Sequence, residues 1–250
     1  PLVTVDAEEV YRAAVVEPLY AEYAAGRTPN PDVRCNEFVK FPALAAEADR
    51  QRCAWIATGH YARVRHMEGE SMLLKAADAE KDQTYFLWTL TQADLPHTLF
   101  PIGGYHKKKV RGLAKHFRLA NADKPDSQGL CFVGPLDFKT FLRSYLPVAV
   151  GPVRDETGKI IGDHDGAHFY TIGERHGFHV TAQTPTASPL YIIAKDLETN
   201  SLIVSPRPLA SAGARSEINL GEVNWISGVA PTIGQILKAR IRYRAPLVSC

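Results

Sequence analysis

No stretch of this sequence approaches the roughly 20 consecutive apolar residues that a membrane-spanning helix needs. The N-terminus also lacks a basic segment followed by an apolar signal core, so the cytoplasm is the expected location. Cysteine is scarce, four in 250 residues. No two cysteines form a C-x-x-C pair, and no Cys/His group has zinc spacing, so neither a disulfide scaffold nor a structural metal is expected. A large net charge is missing too: 29 Lys and Arg against 27 Asp and Glu leave a formal +2. Any nucleic-acid footprint must therefore be local. Internal repeats and low-complexity linkers are absent. What is present is 45% hydrophobic residues, ample for a packed core in one to three domains.

Along the chain, Asp6 with Glu9 resembles a capping box opening a helix through Val10, Ala14 and Leu19, which Pro18 bends and which ends near Gly26. Phe38 to Cys53 reads as a second helix with Phe41, Leu44, Ala45 and Ala48 on one stripe and a kink or late start at Pro42. Ala54 to Ala57 reads as a buried strand ended by Thr58, Gly59 and His60. Ligands in open α/β sheets bind beyond the carboxyl ends of such strands, which places Gly59 and His60 at a site. A hairpin is expected from Tyr61–Val64 and Met72–Lys75, and a helix from Asp82 to Leu90.

The segment HKKKVRGLAKHFRLA keeps Val110, Leu113, Ala114 and Phe117 at helical spacing while Lys107, Lys108, Lys109, Arg111, Lys115 and Arg118 cover the rest. A solvated face and a phosphate contact both fit it. Phe138, Phe141, Leu142 and Tyr145 make a last amphipathic helix closed by Pro147. From Val148 the texture turns to short alternating runs, as in GPVRDETGKIIG, FYTIGERHGF and YIIAKDLETNSLIVS, which read as hairpins. Near the C-terminus Leu237, Ala239, Ile241 and Tyr243 alternate with Lys238, Arg240, Arg242 and Arg244, as a strand with one cationic face would. Such a face serves a charge-protected sheet edge as well as a polyanion.

Two cysteines stand out. Cys35 in TPNPDVRCNEFVKF and Cys131 in KPDSQGLCFVG sit among polar, turn-forming residues, where exposure and reactivity are favoured over the usual small buried hydrophobe. Cys53, between a helix and a strand, reads as a packing residue, and Cys250 belongs to no motif.

The motifs GRTPNPDVRCN, ATGHYARV, KDQTYFLWTL, DSQGLCFVG and HFYTIGERHGF occur in the order and spacing of one family. The chain resembles the bacterial tRNA-specific 2-thiouridylases from about Val5 to KARIRYR, nearly its whole length. The resemblance implies an α/β fold: an adenine-nucleotide-hydrolase-like, PP-loop ATPase domain over 1–145, a small central β domain over 146–208 and part of a C-terminal β-barrel over 209–250. It implies ATP, with Mg2+, as cofactor, and tRNA and a sulfur-relay or cysteine desulfurase protein as partners.

It also assigns roles. Cys131 resembles the persulfide carrier and Cys35 the second cysteine, which forms a disulfide with Cys131 after turnover. Asp32 resembles the acid or base of the reaction, and Asn30, Pro31 and Asp32 the loop around the flipped target uridine. Gly59 resembles a residue that approaches ATP through its backbone. His60, Lys81, Asp82, Gln83, Arg242 and Tyr243 resemble tRNA contacts. Each has a plainer reading: an Asx turn for Asp32, a strand-end cap for His60, a polar helix start for Lys81 to Gln83. Family members carry Gln-Arg-Lys-Gly where this sequence has Glu174-Arg175-His176-Gly177.

The family's Ser-Gly-Gly-Val-Asp-Ser loop, which cradles ATP phosphates, is not found in this sequence, and both ends read as cut. The 250 residues alone are therefore expected to be inactive. The competing reading is a catalytically inactive tRNA-binding module, against which both cysteines and Asp32 are retained.

Overall fold

The computed structural model describes residues 2–124, 138–181, 188–208 and 217–250. They fall into two compact units: Pro1–Ala14, Asp32–Asp126 and Gly221–Cys250 form the first, Val15–Pro31 and Ser127–Leu220 the second. The chain leaves the first unit after Ala14, re-enters it at Asp32 and returns to it at the C-terminus.

Helix α1 (Glu8–Tyr11) starts beside Asp6, whose Oδ1 accepts the Glu8 N–H at 3.0 Å. Residues Arg12–Val16 widen into a π-type turn before α2 (Glu17–Ala24). Asn36–Lys40 do the same between α3 (Pro31–Cys35) and α4 (Phe41–Arg50). Each widening precedes a proline, Pro18 or Pro42, which has no N–H for the carbonyl four residues back and whose ring would strike it in a regular α-helix. The carbonyl that Pro18 leaves, that of Ala14, accepts Arg34 Nε at 2.6 Å. The Arg34 guanidinium also lies 4.8 Å over the Phe38 ring. The helix around Cys35 thus begins at Pro31, not Phe38: proline in the first turn followed by Asp32 suits a helix start, and the tertiary bond from Arg34 fixes it.

Four short strands follow, β1 (Ile56–Ala57), β2 (Ala62–Met67), β3 (Glu70–Lys75) and β4 (Thr98–Leu99). β1 runs parallel to β4, and β2 and β3 form the expected hairpin, from Ala62 opposite Lys75 to Met67 opposite Glu70. β1 is shorter and more exposed than its apolar run implies, with Trp55 48% exposed. The core of this unit is Phe41, Ala62, Leu87, Leu90, Leu95 and Phe100, with Ile56, Val64, Leu73 and Ile226 packed on it. The expected helix over 82–90 is instead one 3-10 turn, Thr84–Phe86. The basic segment does form a helix, α5 (Lys107–His116). Both α4 and α5 are followed by a left-handed arginine, Arg52 (φ 55°) and Arg118 (φ 53°). The Cys53 and Leu119 N–H groups then reach back to Ala48 and Ala114 and satisfy the last carbonyls.

In the second unit, α2 and α6 (Phe138–Arg143) pack on a five-stranded sheet. Its strands are β5 (Gly151–Arg154), β6 (Ile160–His164), β7 (His179–Val180), β8 (Tyr191–Asp196) and β9 (Ser201–Ser205), in the order β7-β6-β5-β9-β8. Only β5 and β9 are parallel. Leu19 and Tyr23 of α2 join Leu142, Val153, Ile192, Leu202 and Val204 in its core. Gly26 ends α2 at φ +73°, and a Cβ there would stand 2.6 Å from Leu197 Cδ1.

FYTIGERHGF (Phe169–Phe178) is not a hairpin: it follows the 3-10 turn Ala167–Phe169 as an irregular segment that leads to β7. Tyr170 is fully buried, donates its hydroxyl to Asp165 at 2.7 Å and lies under Lys139 Nζ, 4.0 Å from its ring centre. Glu174, the departure from the family pattern, accepts the Thr171 N–H at 3.0 Å and pairs with Lys139 at 3.7 Å. The turn therefore gains a carboxylate with two partners.

The C-terminal segment contains one two-stranded hairpin, β10 (Lys238–Ala239) with β11 (Val248–Ser249), and no closed barrel among the described residues. The alternation from 237 to 244 does not extend as a strand. Arg242 to Ala245 turn, with Ala245 N–H on the Arg242 carbonyl at 3.0 Å and Arg244 at φ 62°. Asn224 Nδ2 donates to the Trp88 and Leu90 carbonyls at 2.7 and 3.0 Å, and Gln92 Nε2 to the Ile226 carbonyl at 2.8 Å. Among the described residues no helix is long and apolar enough to cross a membrane.

The closest approach that holds the hairpin is at Gly103, where a Cβ would stand 1.5 Å from the Ala62 carbonyl oxygen. Gly103→Ala is expected to cost about 3 kcal/mol or more, at or above the ordinary overpacking range, because a backbone oxygen cannot rotate aside. Urea unfolding measures it, and a loss below about 0.5 kcal/mol, the level of an ordinary surface substitution, would show that the contact yields freely.

Candidate functional site

The 3-10 turn Thr84–Phe86 organises the site of the first unit. Asp82, 5% exposed, holds its start: Oδ1 accepts the N–H groups of Ala76 and Thr84 at 3.4 and 3.1 Å and the Thr84 hydroxyl at 2.9 Å. Gln83 then pairs twice with Tyr61, its N–H on the Tyr61 carbonyl and its Oε1 accepting the Tyr61 N–H, both at 2.8 Å. That fixes the segment against the chain that leaves Gly59 and His60. At the other end the Phe86 carbonyl accepts Asn36 Nδ2 at 3.0 Å, which ties it to the residue after Cys35. The Asn36 Oδ1 in turn accepts Lys40 Nζ at 3.0 Å.

The C-terminal turn closes on the same hub. The Tyr243 ring is 4.6 Å from that of Phe86 and 6.0 Å from that of Tyr85. The Tyr85 hydroxyl donates to the Ile241 carbonyl at 3.4 Å, and Arg244 to the Glu80 carbonyl at 3.4 Å. Lys81 to Gln83 and Arg242 to Tyr243, about 160 positions apart in sequence, are therefore neighbours. Arg242 is exposed; Lys81 and Tyr243 are half-buried.

Gly59 lies just past the carboxyl end of β1, exposed, with no atom within 4 Å of where a Cβ would be. It leaves its backbone open to a ligand. His60 differs from the RNA-facing histidine the sequence implied. The ring is buried, stacked 5.9 Å from Phe41 and edge-on to Phe100 at 6.2 Å, with Nδ1 2.7 Å from the Thr58 hydroxyl. Burial, reinforced by the charge of Lys40, pushes its pKa down to about 4. It is a neutral ring at neutral pH, packed at the end of the strand.

Asp32 is half-buried in the first turn of α3, not in an isolated turn, with Cys35 one helical turn further on. Cys35 is fully buried, contrary to the exposure its polar neighbours implied. Polar neighbours do not imply exposure here, since Val33, Cys35 and Asn36 are all buried and Asn36 bonds the Phe86 carbonyl. Asn30 and Pro31 are half-buried and precede that turn in the chain, at the boundary of the two units. Cys131 lies outside the described residues. Cys53 is exposed and not a packing residue, since the Arg52 reversal after α4 turns it outward.

The sequence reading did not single out Asn36, Tyr61 or Phe86, which hold the hub together. Asn36 had a signal of a kind, an amide directly after Cys35 in a helix-forming stretch; Tyr61 acts through its backbone, which no side-chain pattern reveals.

Comparison with known proteins fits this architecture. Residues 1–135 match the family described as tRNA methyl transferase HUP domain, and residues 139–206 match the tRNA methyl transferase PRC-barrel domain. The molecule is thus a nucleotide-hydrolase-like α/β domain joined to a small β domain. The chain is 42% identical over 251 residues to a protein of Nitrosomonas eutropha named tRNA-specific 2-thiouridylase MnmA, covering all of this chain and 70% of that one. Proteins of the same name from Paraburkholderia phymatum (42%, all of this chain and 66% of the relative) and Ralstonia pickettii (43%, all and 69%) are similar to it. The chain belongs to the tRNA-specific 2-thiouridylase family. It spans 65 to 70% of the length of these relatives.

Two measurements check the geometry. Without RNA, the exposed Cys53 and Cys250 should be alkylated by iodoacetamide at least about tenfold faster than Cys35, since reactivity needs exposure; equal rates would mean that the interior of α3 opens readily. The His60 ring should titrate by NMR near pH 4. Its folded pKa lies below the unfolded value, so its contribution to stability is complete above pH 6.5 and declines as pH falls toward 4. Titration at the ordinary histidine value would place the ring in solvent.

Proposed function

We propose that the protein catalyses ATP-dependent 2-thiolation of the wobble uridine of tRNA, in the cytoplasm, with Cys131 carrying the sulfur and Cys35 completing its transfer. The observation that supports this most is the convergence on one hub of the Cys35 helix, the Gly59 strand end and both candidate RNA-contacting segments, Lys81 to Gln83 and Arg242 to Tyr243.

The oxygen on C2 of uridine is a poor leaving group, and ATP, with Mg2+ on its phosphates, supplies the adenylyl group that makes it a good one. Gly59, open at the end of β1, is the residue that would lie against the nucleotide. Asn30, Pro31 and Asp32 would surround the extruded base, because a stacked uridine hides its C2 from any protein nucleophile. The terminal sulfur of a Cys131 persulfide, loaded by a sulfur-relay or desulfurase protein, bonds to C2 while the C2–O bond breaks and the oxygen departs with AMP. Cys35 thiolate then bonds to Cys131 Sγ as the persulfide S–S bond breaks, leaving its electron pair on the sulfur that remains at C2. Asp32, one turn from Cys35, is placed to receive the Cys35 proton. The resulting Cys35–Cys131 disulfide is reset by a two-electron thiol reductant.

His60 contributes through the strand end that it braces. Lys81, Gln83, Arg242 and Tyr243 hold the RNA, and Asp82 acts through them by fixing the turn. In the full-length protein Cys35→Ser and Cys131→Ser should each abolish thiolation while sparing tRNA-dependent pyrophosphate release from ATP, and Cys53→Ser should change neither. Cys131→Ser should also eliminate persulfide loading, and Cys35→Ser should not. Mass spectrometry of the loaded protein decides the roles: a persulfide on Cys35 or Cys53 and never on Cys131 would overturn them. Full tRNA binding without either activity in the unaltered full-length protein would favour a binding module.

A further inference from the structure

We infer that Lys108 and Lys109, at the start of α5, extend the RNA-binding face beyond the hub and contact the phosphate backbone of the same tRNA. The inference rests on the tRNA reading above. The first observation is electrostatic. From Leu95 to Ala122 the chain contains no Asp or Glu, although 27 are spread over 250 residues, and α5 lies inside that interval. Its first turn holds three lysines in succession, Lys107, Lys108 and Lys109. A helix N-terminus carries partial positive charge, and cations there are unfavourable by about 0.3–1 kcal/mol each. Local helix stability therefore gives no reason for this placement. Lys108 and Lys109 are exposed, and among the described residues neither has an ion-pair partner, whereas Lys115 pairs with Asp123 at 2.9 Å.

The second observation is geometric. One residue, Asp78, joins the start of α5 to the hub. Its Oδ2 accepts the Lys107 N–H at 2.8 Å, its Oδ1 accepts the Glu80 N–H at 3.2 Å, and its carbonyl accepts the Lys81 N–H at 3.1 Å. The Glu80 carbonyl in turn receives Arg244. Lys107 Nζ also lies 5.2 Å over the ring of Tyr61, the residue paired with Gln83. The lysine triplet, Lys81, and the Arg242–Arg244 turn are thus built around a single turn, Asp78 to Gln83. Asp78 itself is held well below the ordinary carboxylate pKa, chiefly by the Lys107 N–H. Among the described residues Asp78 accepts backbone N–H groups of Lys107 and Glu80 and lies 3.9 Å from His106 Nδ1. The exposed Lys108 and Lys109 ammonium groups are left to a polyanion that runs past them.

The test compares the unaltered full-length protein with Lys108→Gln/Lys109→Gln and with Arg242→Ala, measuring tRNA affinity across salt concentrations and thermal stability. Loss of two phosphate contacts should reduce the slope of log affinity against log salt by about 1.4 for single-stranded and 1.8 for duplex contacts. The melting temperature of the double variant should not fall, since cations at a helix start oppose its dipole. If Arg242→Ala weakens tRNA binding and the double lysine variant changes neither affinity nor slope, the inference is overturned and the tRNA reading stands. Loss of affinity with an unchanged slope and a lowered melting temperature would overturn it equally, as a sign of structural damage. If neither variant alters binding, the tRNA reading of this face falls and the inference with it.

Discussion

Two hydrogen bonds between Gln83 and the backbone of Tyr61 hold the rest of the site in place. Both termini of that pairing lead to function: Tyr61 follows Gly59 and His60 at the end of β1, and Gln83 precedes the turn whose last residue, Phe86, meets Asn36 and Tyr243. One residue, through its backbone N–H and its side-chain oxygen, thus sets the spacing between the end of β1 and the 3-10 turn. In the proposed function Gln83 contacts RNA, and a residue fixed by two hydrogen bonds to backbone groups presents its surface without reorganising. That pre-organisation reduces the entropy that binding must otherwise overcome.

The buried residues around the hub have the opposite task. Asp82 and His60 resemble family contacts to tRNA, and both are buried here, one bonding three groups of the adjacent turn, the other wedged between two phenylalanine rings. Removing either would leave orphaned polar groups or a gap, and the loss would reach the RNA through displaced neighbours. A pattern of residue types cannot separate such bracing residues from contacting ones. Both are polar, and both sit within motifs whose other members are partly buried and partly exposed.

How far the sequence could be read follows the range of the forces involved. The β2–β3 hairpin, α5 and α6, and the paired runs that became β5–β6 and β8–β9 were legible, because alternation, helical spacing and turn residues act over a few positions. Asp82 to Leu90 was not, because the Asp82 carboxylate claims the N–H of Thr84 and tertiary bonds from Asn224 hold the Trp88 and Leu90 carbonyls. Arg240 to Arg244 failed for a similar reason: alternation promised a strand, but the Tyr243 ring has a better partner in Phe86, and the chain turns to reach it. Family motifs name candidate site residues; only tertiary contacts show which of them are exposed.

Cys35 carries the same lesson into mechanism. Its neighbours Asn30, Asp32 and Asn36 are polar, yet helix formation from Pro31 turns the sulfur inward until none of it meets solvent. In the proposed reaction a Cys35 thiolate is needed only when an activated uridine and a loaded partner cysteine are both present. At other times an exposed one would be consumed by oxidants. Burial in a helix with two irregularities, a π-type turn directly after Cys35 and a proline beyond it, offers protection without rigidity. Fewer regular i→i−4 bonds cross that junction than in an unbroken helix, so less has to break for the sulfur to emerge. The wide turn that Pro42 requires for steric reasons thus lies where the chemistry needs the backbone to give.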